Sequence, residues 1–223
     1  MLKAALRTAG ARVVHTLLAG AVILAAPGCA RQVDGAAVLP YGEPPGSQTV
    51  AAVNADTILL DLPRMRGITG GGSDLNIIPS MDSKTPVDVT ALAKVVPEAC
   101  RFVVAETATF GPGIIGFHKI TYQDPPVGGL ISQGAAVYHS GDTAHAALYA
   151  LRGLASECAQ TSFGQRRVGN VTGDADSLLL HAANGCGRLY HVKSAVLAEV
   201  TYCAFPDSVP DLVMTNMLGN VPG

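Results

Sequence analysis

Five cysteines carry the most distinctive side-chain chemistry in this sequence. They lie at positions Cys29, Cys100, Cys158, Cys186 and Cys203. No two of them form the Cys-x-x-Cys pair that is typical of redox-active and zinc-binding sites. Their spacings therefore predict structural disulfide bridges. An odd number of cysteines in an exported protein leaves one without a partner, and four cysteines can pair in three ways.

Metal binding and nucleophilic catalysis have few candidate residues. His139, Asp142 and His145 lie close together where a predicted strand meets a predicted helix. Asp142 belongs to the first turn of that helix and His139 is oriented by the strand, so we predict no metal site there. Ser73, after three glycines, and Ser140 are the nearest approaches to a nucleophile, but no Gly-x-Ser-x-Gly turn is present. We therefore predict neither catalysis nor a bound cofactor.

Residues 1–28 have the pattern of a secretion signal. Three basic residues, Lys3, Arg7 and Arg12, precede the apolar segment 13–26. As a helix, at about 1.5 Å per residue, this segment would be about 21 Å long. The hydrocarbon core of a bilayer is about 30 Å thick. The segment therefore fits a signal peptide better than a membrane span.

The leader ends at a candidate lipid-attachment site. The sequence Leu24-Ala25-Ala26-Pro27-Gly28-Cys29 resembles a bacterial lipobox, with Ala26 at the position where leucine is preferred. We predict cleavage before Cys29 and a lipid on its thiol, which would hold the chain on the extracytoplasmic side of the cell membrane. The other four cysteines could then pair completely, and an oxidising compartment favours two disulfides. An ordinary cleaved signal and an uncleaved N-terminal anchor are the alternatives.

Composition and charge limit the partners of the rest of the chain. Residues 29–51 are rich in Gly, Pro and Ala and predict a tether, followed by one folded domain over residues 52–223. The chain is 48% hydrophobic and 14% charged, which is typical of globular proteins. Without the three basic residues of the leader, 12 basic residues remain against 17 acidic ones. This acidic balance argues against nucleic acid as a partner.

Local sequence patterns predict four helices in this domain, one of which begins at Pro97 and runs on through Phe102 and Val103. Asp61 has the properties of an N-cap for a short helix that ends near Gly67. A longer helix begins after Ser140, and its apolar stripe recurs at spacings of three and four residues up to Cys158. A final helix is predicted to begin at Ser208 and to end at Gly219.

Alternation of apolar and polar residues predicts strands over residues 114–122, 129–139, 177–183 and 195–203. In the last strand, Glu199 and Thr201 lie on the face opposite Val196, Ala198, Val200 and Tyr202. The strands and helices do not alternate regularly. We therefore predict an α+β fold, with an antiparallel sheet and helices packed mainly on one face. Glu199 and Thr201 would lie on the open face and are the candidate ligand-binding residues.

Several segments share their order and spacing with one known family. They are Ile58-Leu59-Leu60-Asp61, Pro97-x-x-Cys100, Ala135-Ala136-Val137-Tyr138-His139-Ser140, the helix from Ala144 to Cys158, Gly185-Cys186-Gly187-Arg188 and the strand 195–203. Together they resemble the extracellular sensor domain of PknH-type receptor Ser/Thr kinases, which is also found alone in many mycobacterial lipoproteins. The resemblance covers about residues 52–221. The family usually has a tryptophan shortly before the second cysteine, where this chain has Leu154 and Ala155.

The resemblance implies both a disulfide pairing and a general role. The pairing is Cys100 with Cys158 and Cys186 with Cys203. The role is a non-catalytic, ligand-sensing domain, because the related kinase domains are thought to sense an extracytoplasmic ligand through a cleft. The kinase machinery itself is missing, since there is no Gly-x-Gly-x-x-Gly loop and no His-Arg-Asp motif.

Three functions predict different surfaces. A domain that binds a small molecule or a cell-envelope component predicts a concave surface with a few converging polar groups. A scaffold for envelope proteins predicts an exposed apolar patch with a polar rim. A secreted hydrolase, the least favoured function, predicts a serine or cysteine within hydrogen-bond distance of a histidine that a carboxylate orients.

Overall fold

A single antiparallel sheet of seven strands organises residues 53–223, which are the residues that the computed structural model describes. The strand order is β1-β2-β3-β7-β6-β5-β4. The strands are β1 Asn76–Ser83, β2 Ile114–Asp124, β3 Gly129–Tyr138, β4 Asn170–Gly173, β5 Ser177–His181, β6 Cys186–Lys193 and β7 Val196–Cys203. The α+β prediction with an antiparallel sheet is confirmed.

Helices pack around this sheet, and most of them are short. The two longest are the fifth and the seventh α-helices in chain order. The α-helices are α1 Ala55–Ile58, α2 Leu62–Thr69, α3 Thr90–Ala93, α4 Glu106–Phe110, α5 Gly141–Ala159, α6 Ser162–Arg167 and α7 Ser208–Asn220. Three-residue or longer 3-10 helices lie at Gly72–Asp74, Glu98–Val103 and Pro125–Val127. In this part of the chain, no helix has the length and hydropathy of a membrane span.

Helices cover both faces of the sheet, so the prediction that they pack mainly on one face is wrong. On the first face, α1, α2 and α7 pack on one core cluster of the sheet. On the second face, α5, α4 and the 3-10 helix Glu98–Val103 pack on another. The central strands require cover on both faces. Consecutive residues of β7, such as Leu197 and Ala198, point to opposite faces of the sheet and are both fully buried.

The helix α5 has the start and the buried face that its sequence predicts. The side chain of Ser140 accepts a hydrogen bond from the backbone N–H of Thr143. Its buried residues are Ala144, Leu148, Leu151, Ala155 and Cys158. The helix α2 begins after the predicted cap Asp61 but runs on to Thr69, where Gly70 adopts a left-handed conformation. The helix α7 includes Gly219 and ends only at Asn220.

One disulfide connects two helices, and the other connects two neighbouring strands of the sheet. Cys100 in the 3-10 helix Glu98–Val103 is bonded to Cys158 at the end of α5. Cys186 and Cys203 are directly opposite each other on β6 and β7 and are bonded to each other. This is the pairing that the family resemblance implies. The predicted signal 1–28, the tether 29–51 and the predicted lipid site Cys29 lie outside the described residues, which begin at Val53.

Candidate ligand-binding cavity

A cavity of about 440 Å³ opens on the second face of the sheet, beside the area that α5 covers. Its floor consists of side chains from β2, β3, β6 and β7. The 3-10 helix Glu98–Val103 and α4 form its wall, and β1 with the segment that leads into α3 forms its mouth. We call it the sheet cavity. Its lining residues are Ser80, Met81, Ser83, Val87, Val89, Leu92, Phe102, Val103, Val104, Ala105, Glu106, Thr109, Lys119, Thr121, Ser132, Arg188 and Thr201.

Glu199 lies under the floor and organises its charges. It is 0% exposed, and each of its two carboxylate oxygens has partners. Lys119 Nζ lies 2.8 Å from Oε2. The hydroxyls of Tyr190 and Thr201 donate to Oε1 over 3.2 Å and 3.0 Å. Arg188 adds an ion pair of 3.7 Å to the same oxygen. A buried carboxylate needs such compensation, because an isolated buried charge is very costly.

These partners determine the ionisation of the cluster. Burial by itself would raise the pKa of Glu199, but Lys119 and Arg188 outweigh it and hold this pKa below its ordinary value. Burial likewise opposes the charge of Arg188, yet Tyr190 and Glu199 raise the pKa of its guanidinium. Burial raises the pKa of the Tyr190 hydroxyl above its ordinary value. At neutral pH this cluster therefore contains an ionised carboxylate, a charged guanidinium and an un-ionised phenol.

A second carboxylate connects the floor to the mouth of the cavity. Glu106, at the start of α4, places Oε1 3.4 Å from Lys119 Nζ. Its other oxygen, Oε2, accepts a hydrogen bond of 2.8 Å from the backbone N–H of Val87. Arg188 donates to the backbone carbonyl of Val103 over 3.0 Å and so connects the floor to the wall. The charged groups thus hold the wall and the mouth segment over the sheet.

The rest of the lining divides into hydroxyl groups and apolar side chains. Thr121 and Ser132 face each other across β2 and β3, with 2.9 Å between their hydroxyl oxygens. Thr201 completes this row on the floor. Phe102 packs in the wall, and the mouth carries half-exposed apolar side chains. These are Met81 at 48%, Val87 at 48%, Val89 at 42% and Leu92 at 48%.

The two predicted ligand-binding residues lie at this cavity, but not on an open face. Thr201 lines the cavity. Glu199 is buried beneath it and reaches the cavity only through Lys119, Arg188 and Thr201, because the wall and the mouth cover that part of the sheet. The alternation in β7 predicted that both residues share one face of the sheet, and this is the face on which the cavity opens. It carried no information about the segments that cover them.

Sequence reasoning missed the cations of the floor and Glu106. Lys119 and Thr121 alternate with the half-buried Ile120 and the buried Tyr122 in a predicted strand, and a lysine in such a strand is a signal for a buried partner. Arg188 lies in β6, a strand that the sequence analysis did not predict. Glu106 and Ser132 carry no distinctive local pattern. The register of β2 and β3 brings Ser132 to Thr121, and the position of α4 over the sheet brings Glu106 to Lys119.

The other candidates have structural roles in the fold. His145 Nε2 lies 2.8 Å from Asp176 Oδ1, and its Nδ1 lies 2.8 Å from the carbonyl oxygen of Gly141. Both contacts raise the pKa of His145, Asp176 more than Gly141. Ser140 caps α5, and Ser73 is exposed in the 3-10 helix Gly72–Asp74.

Neither metal ligation nor an activated nucleophile is present in the described residues. Over residues 53–223, no group of three or more His, Cys, Asp or Glu side chains is arranged to hold a metal ion. Within the same range, the hydrogen bonds of the histidines go to aspartates and to the carbonyl of Gly141, and not to a serine or cysteine.

Comparison with known proteins agrees with the fold and with the segments noted above. The sequence profile of the family described as PknH-like extracellular domain matches residues 50–218. The structure is similar to the crystal structure of the extracellular domain of PknH from Mycobacterium tuberculosis, with a TM-score of 0.57 and 13% sequence identity. The similarity covers 76% of this chain and 95% of that one. No curated protein sequence matches the chain. The chain therefore belongs to the PknH-like extracellular domain family, whose domains are of the extracellular sensor type.

Proposed function

We propose that the chain is a membrane-anchored, extracytoplasmic binding module that takes up a small molecule or cell-envelope component in the sheet cavity and catalyses no reaction. The observation that carries this proposal is the convergence of Lys119, Arg188, Thr121, Ser132 and Thr201 on one concave surface. Ligand sites typically have volumes of roughly 300–1,000 Å³, mainly apolar walls and a few placed polar groups. The cavity has all three properties.

Native mass spectrometry tests whether the cavity is occupied in the cell. The full chain, purified from its own host, is expected to carry an additional small-molecule mass. Ser132→Leu should abolish that mass, because the larger side chain fills the floor. The matched control is Ser162→Leu, at an exposed position of α6 outside the cavity lining. A wild-type protein without bound mass, or equal occupancy in both variants, would contradict the proposal.

The anchoring part of the proposal concerns Cys29. The apolar segment 13–26 and the lipobox-like sequence before this cysteine support a lipid on its thiol. The two disulfides support it as well, because they use the other four cysteines. Metabolic labelling with a palmitate analogue should label the wild-type chain and not Cys29→Ala. A chain with Cys186→Ala and Cys203→Ala is the control and should keep its label.

The alternative is a scaffold for envelope proteins, and the mouth of the cavity favours it. Met81, Val87, Val89 and Leu92 are all between 42% and 48% exposed, and the neighbouring Val95 is 78% exposed. Exposed apolar groups of this kind are typical of interaction surfaces. The two functions differ in their dependence on the floor. Ser132→Leu would abolish ligand uptake but leave a protein partner bound at the mouth.

A further inference from the structure

The charges around the sheet cavity balance within the protein. Glu106 and Glu199 supply two carboxylates, and Lys119 and Arg188 supply two cations. Lys119 Nζ lies 2.8 Å from Glu199 and 3.4 Å from Glu106, and Arg188 lies 3.7 Å from Glu199. These are the charged residues of the lining together with Glu199 directly beneath it. The site therefore has no net charge for a ligand to neutralise.

A charged ligand would disturb this balance. An anion that approached Lys119 would also approach the carboxylates of Glu106 and Glu199, which already contact the same ammonium group. A cation would meet Lys119 and Arg188 in the same way. In a partly buried site, an added charge without its own counter-ion loses hydration and gains little attraction in return. The geometry thus disfavours ligands of either sign.

Uncharged polar groups fit the remaining hydrogen-bonding capacity of the floor. The hydroxyl of Thr201 donates to Glu199 and can still accept a hydrogen bond. Thr121 and Ser132 share one hydrogen bond, so one hydroxyl of this pair can still donate and both can accept. Arg188 has five N–H donors, of which one is directed to the carbonyl of Val103. Lys119 has three donors and two carboxylate partners. A ligand head with hydroxyl, ester or amide groups can use these donors and acceptors without bringing a charge.

The apolar mouth adds the second part of the ligand. Met81, Val87 and Leu92 line the cavity and are each 48% exposed, so an apolar chain that contacted them would remove that surface from water. We infer that the sheet cavity takes an uncharged amphiphile, with a hydroxyl-, ester- or amide-bearing head on the floor and an apolar chain along the mouth. This inference rests on the proposed function, since it names the ligand class of the same cavity.

Three probes with alkyl chains of one length separate the head groups. Monolauroylglycerol is uncharged, laurate is an anion and dodecyltrimethylammonium is a cation. Calorimetric titration of the full chain, held in an amphipathic polymer, should show monolauroylglycerol binding at least about tenfold more tightly than either ion, a ratio that corresponds to about 1.4 kcal/mol. Equal or tighter binding of laurate or of the ammonium compound would overturn the inference.

Variants connect the binding to the two parts of the site. Ser132→Ala should weaken monolauroylglycerol binding by about threefold to tenfold, the range of one hydrogen bond, whereas Ser162→Ala should not. Leu92→Gln should weaken it several-fold. Leu212→Gln on α7 is the matched control, because Leu212 is 50% exposed and lies outside the cavity lining. Equal effects in variant and control would contradict this site.

The result also distinguishes this inference from the proposed function. If no probe binds but the protein from its host carries a charged ligand that Ser132→Leu removes, the cavity is a binding site and the ligand class is wrong. If no probe binds and no mass co-purifies, both proposals fail.

Discussion

Lys119 on β2 and Glu199 on β7 form an ion pair of 2.8 Å across the strand that separates them. Gly134 on β3 is the residue directly between them, since it is paired with Lys119 on one side and with Glu199 on the other. A Cβ atom on Gly134 would lie 3.4 Å from Glu199 Oε2 and 3.5 Å from Lys119 Cγ. The missing side chain of this glycine leaves the space in which the two charges meet.

A larger side chain at position 134 should therefore separate the ion pair. We expect Gly134→Val to lower the free energy of unfolding by about 3–5 kcal/mol, the cost of breaking a buried pair. Gly134→Ala should cost less, because its Cβ atom would lie about at van der Waals distance from Glu199 Oε2 and Lys119 Cγ. Chemical denaturation of the two variants measures the difference. Equal losses in both would show that the space is not needed for the pair.

Acid should destabilise the protein through Glu199. Because the folded state holds the pKa of Glu199 below its ordinary value of 4.5, this carboxylate stabilises the fold above that pH. The contribution is lost as the pH falls through the lower, folded pKa. We expect Glu199→Gln to cost about 3–5 kcal/mol at neutral pH, since it leaves Lys119 and Arg188 without their counter-ion.

Denaturation curves at a series of pH values check this expectation. Below pH 4.5 the free energy of unfolding should fall more steeply in the wild type than in Glu199→Gln. Glu157→Gln, at an exposed position of α5, is the control and should behave as the wild type. Parallel curves for the wild type and Glu199→Gln would contradict the role of Glu199.

Replacing two glycines near the end of α5 with alanine should change the stability of the protein in opposite directions. Gly153 is exposed within α5, and a Cβ there would have no atom within 4 Å. Gly153→Ala should stabilise the protein by about 1 kcal/mol through helix propensity. At Gly164 in α6, a Cβ would lie 1.8 Å from the carbonyl oxygen of Cys158, so α6 would have to move. Gly164→Ala should cost about 3 kcal/mol. Thermal unfolding measures the stability of both variants. A change in the same direction in both would contradict the close packing of α6 on α5.

The two disulfides should contribute differently to stability and to the cavity. They close loops with sequence separations of 58 and 17 residues. In the chain-entropy model, replacing both cysteines of the first with alanine should cost about 4 kcal/mol, and of the second about 3 kcal/mol. Loss of the Cys100–Cys158 bridge should also raise amide hydrogen exchange at Phe102 and Val103 in the cavity wall. The same exchange rates in both double variants would show that the first bridge does not hold the wall.

Some parts of this structure follow from local sequence. The helix α5 was predictable because its cap and its buried stripe lie within a few turns of one another. The strand β7 was predictable because neighbouring side chains of a strand point to opposite faces. The strands β1 and β4 were missed, since they lie at the edges of the sheet and are mostly exposed, so burial imposes little pattern on them.

The sequence by itself determined the main helix, the strands β2, β3, β5 and β7, and the face of β7 on which Glu199 and Thr201 lie. The tertiary structure alone decided that helices cover both faces and that Glu106, Lys119, Arg188 and Glu199 meet beside one cavity. The physical reason is that these four residues come from α4, β2, β6 and β7 and have no local relationship. Only the sheet register and the covering segments bring their charges within ion-pair distance.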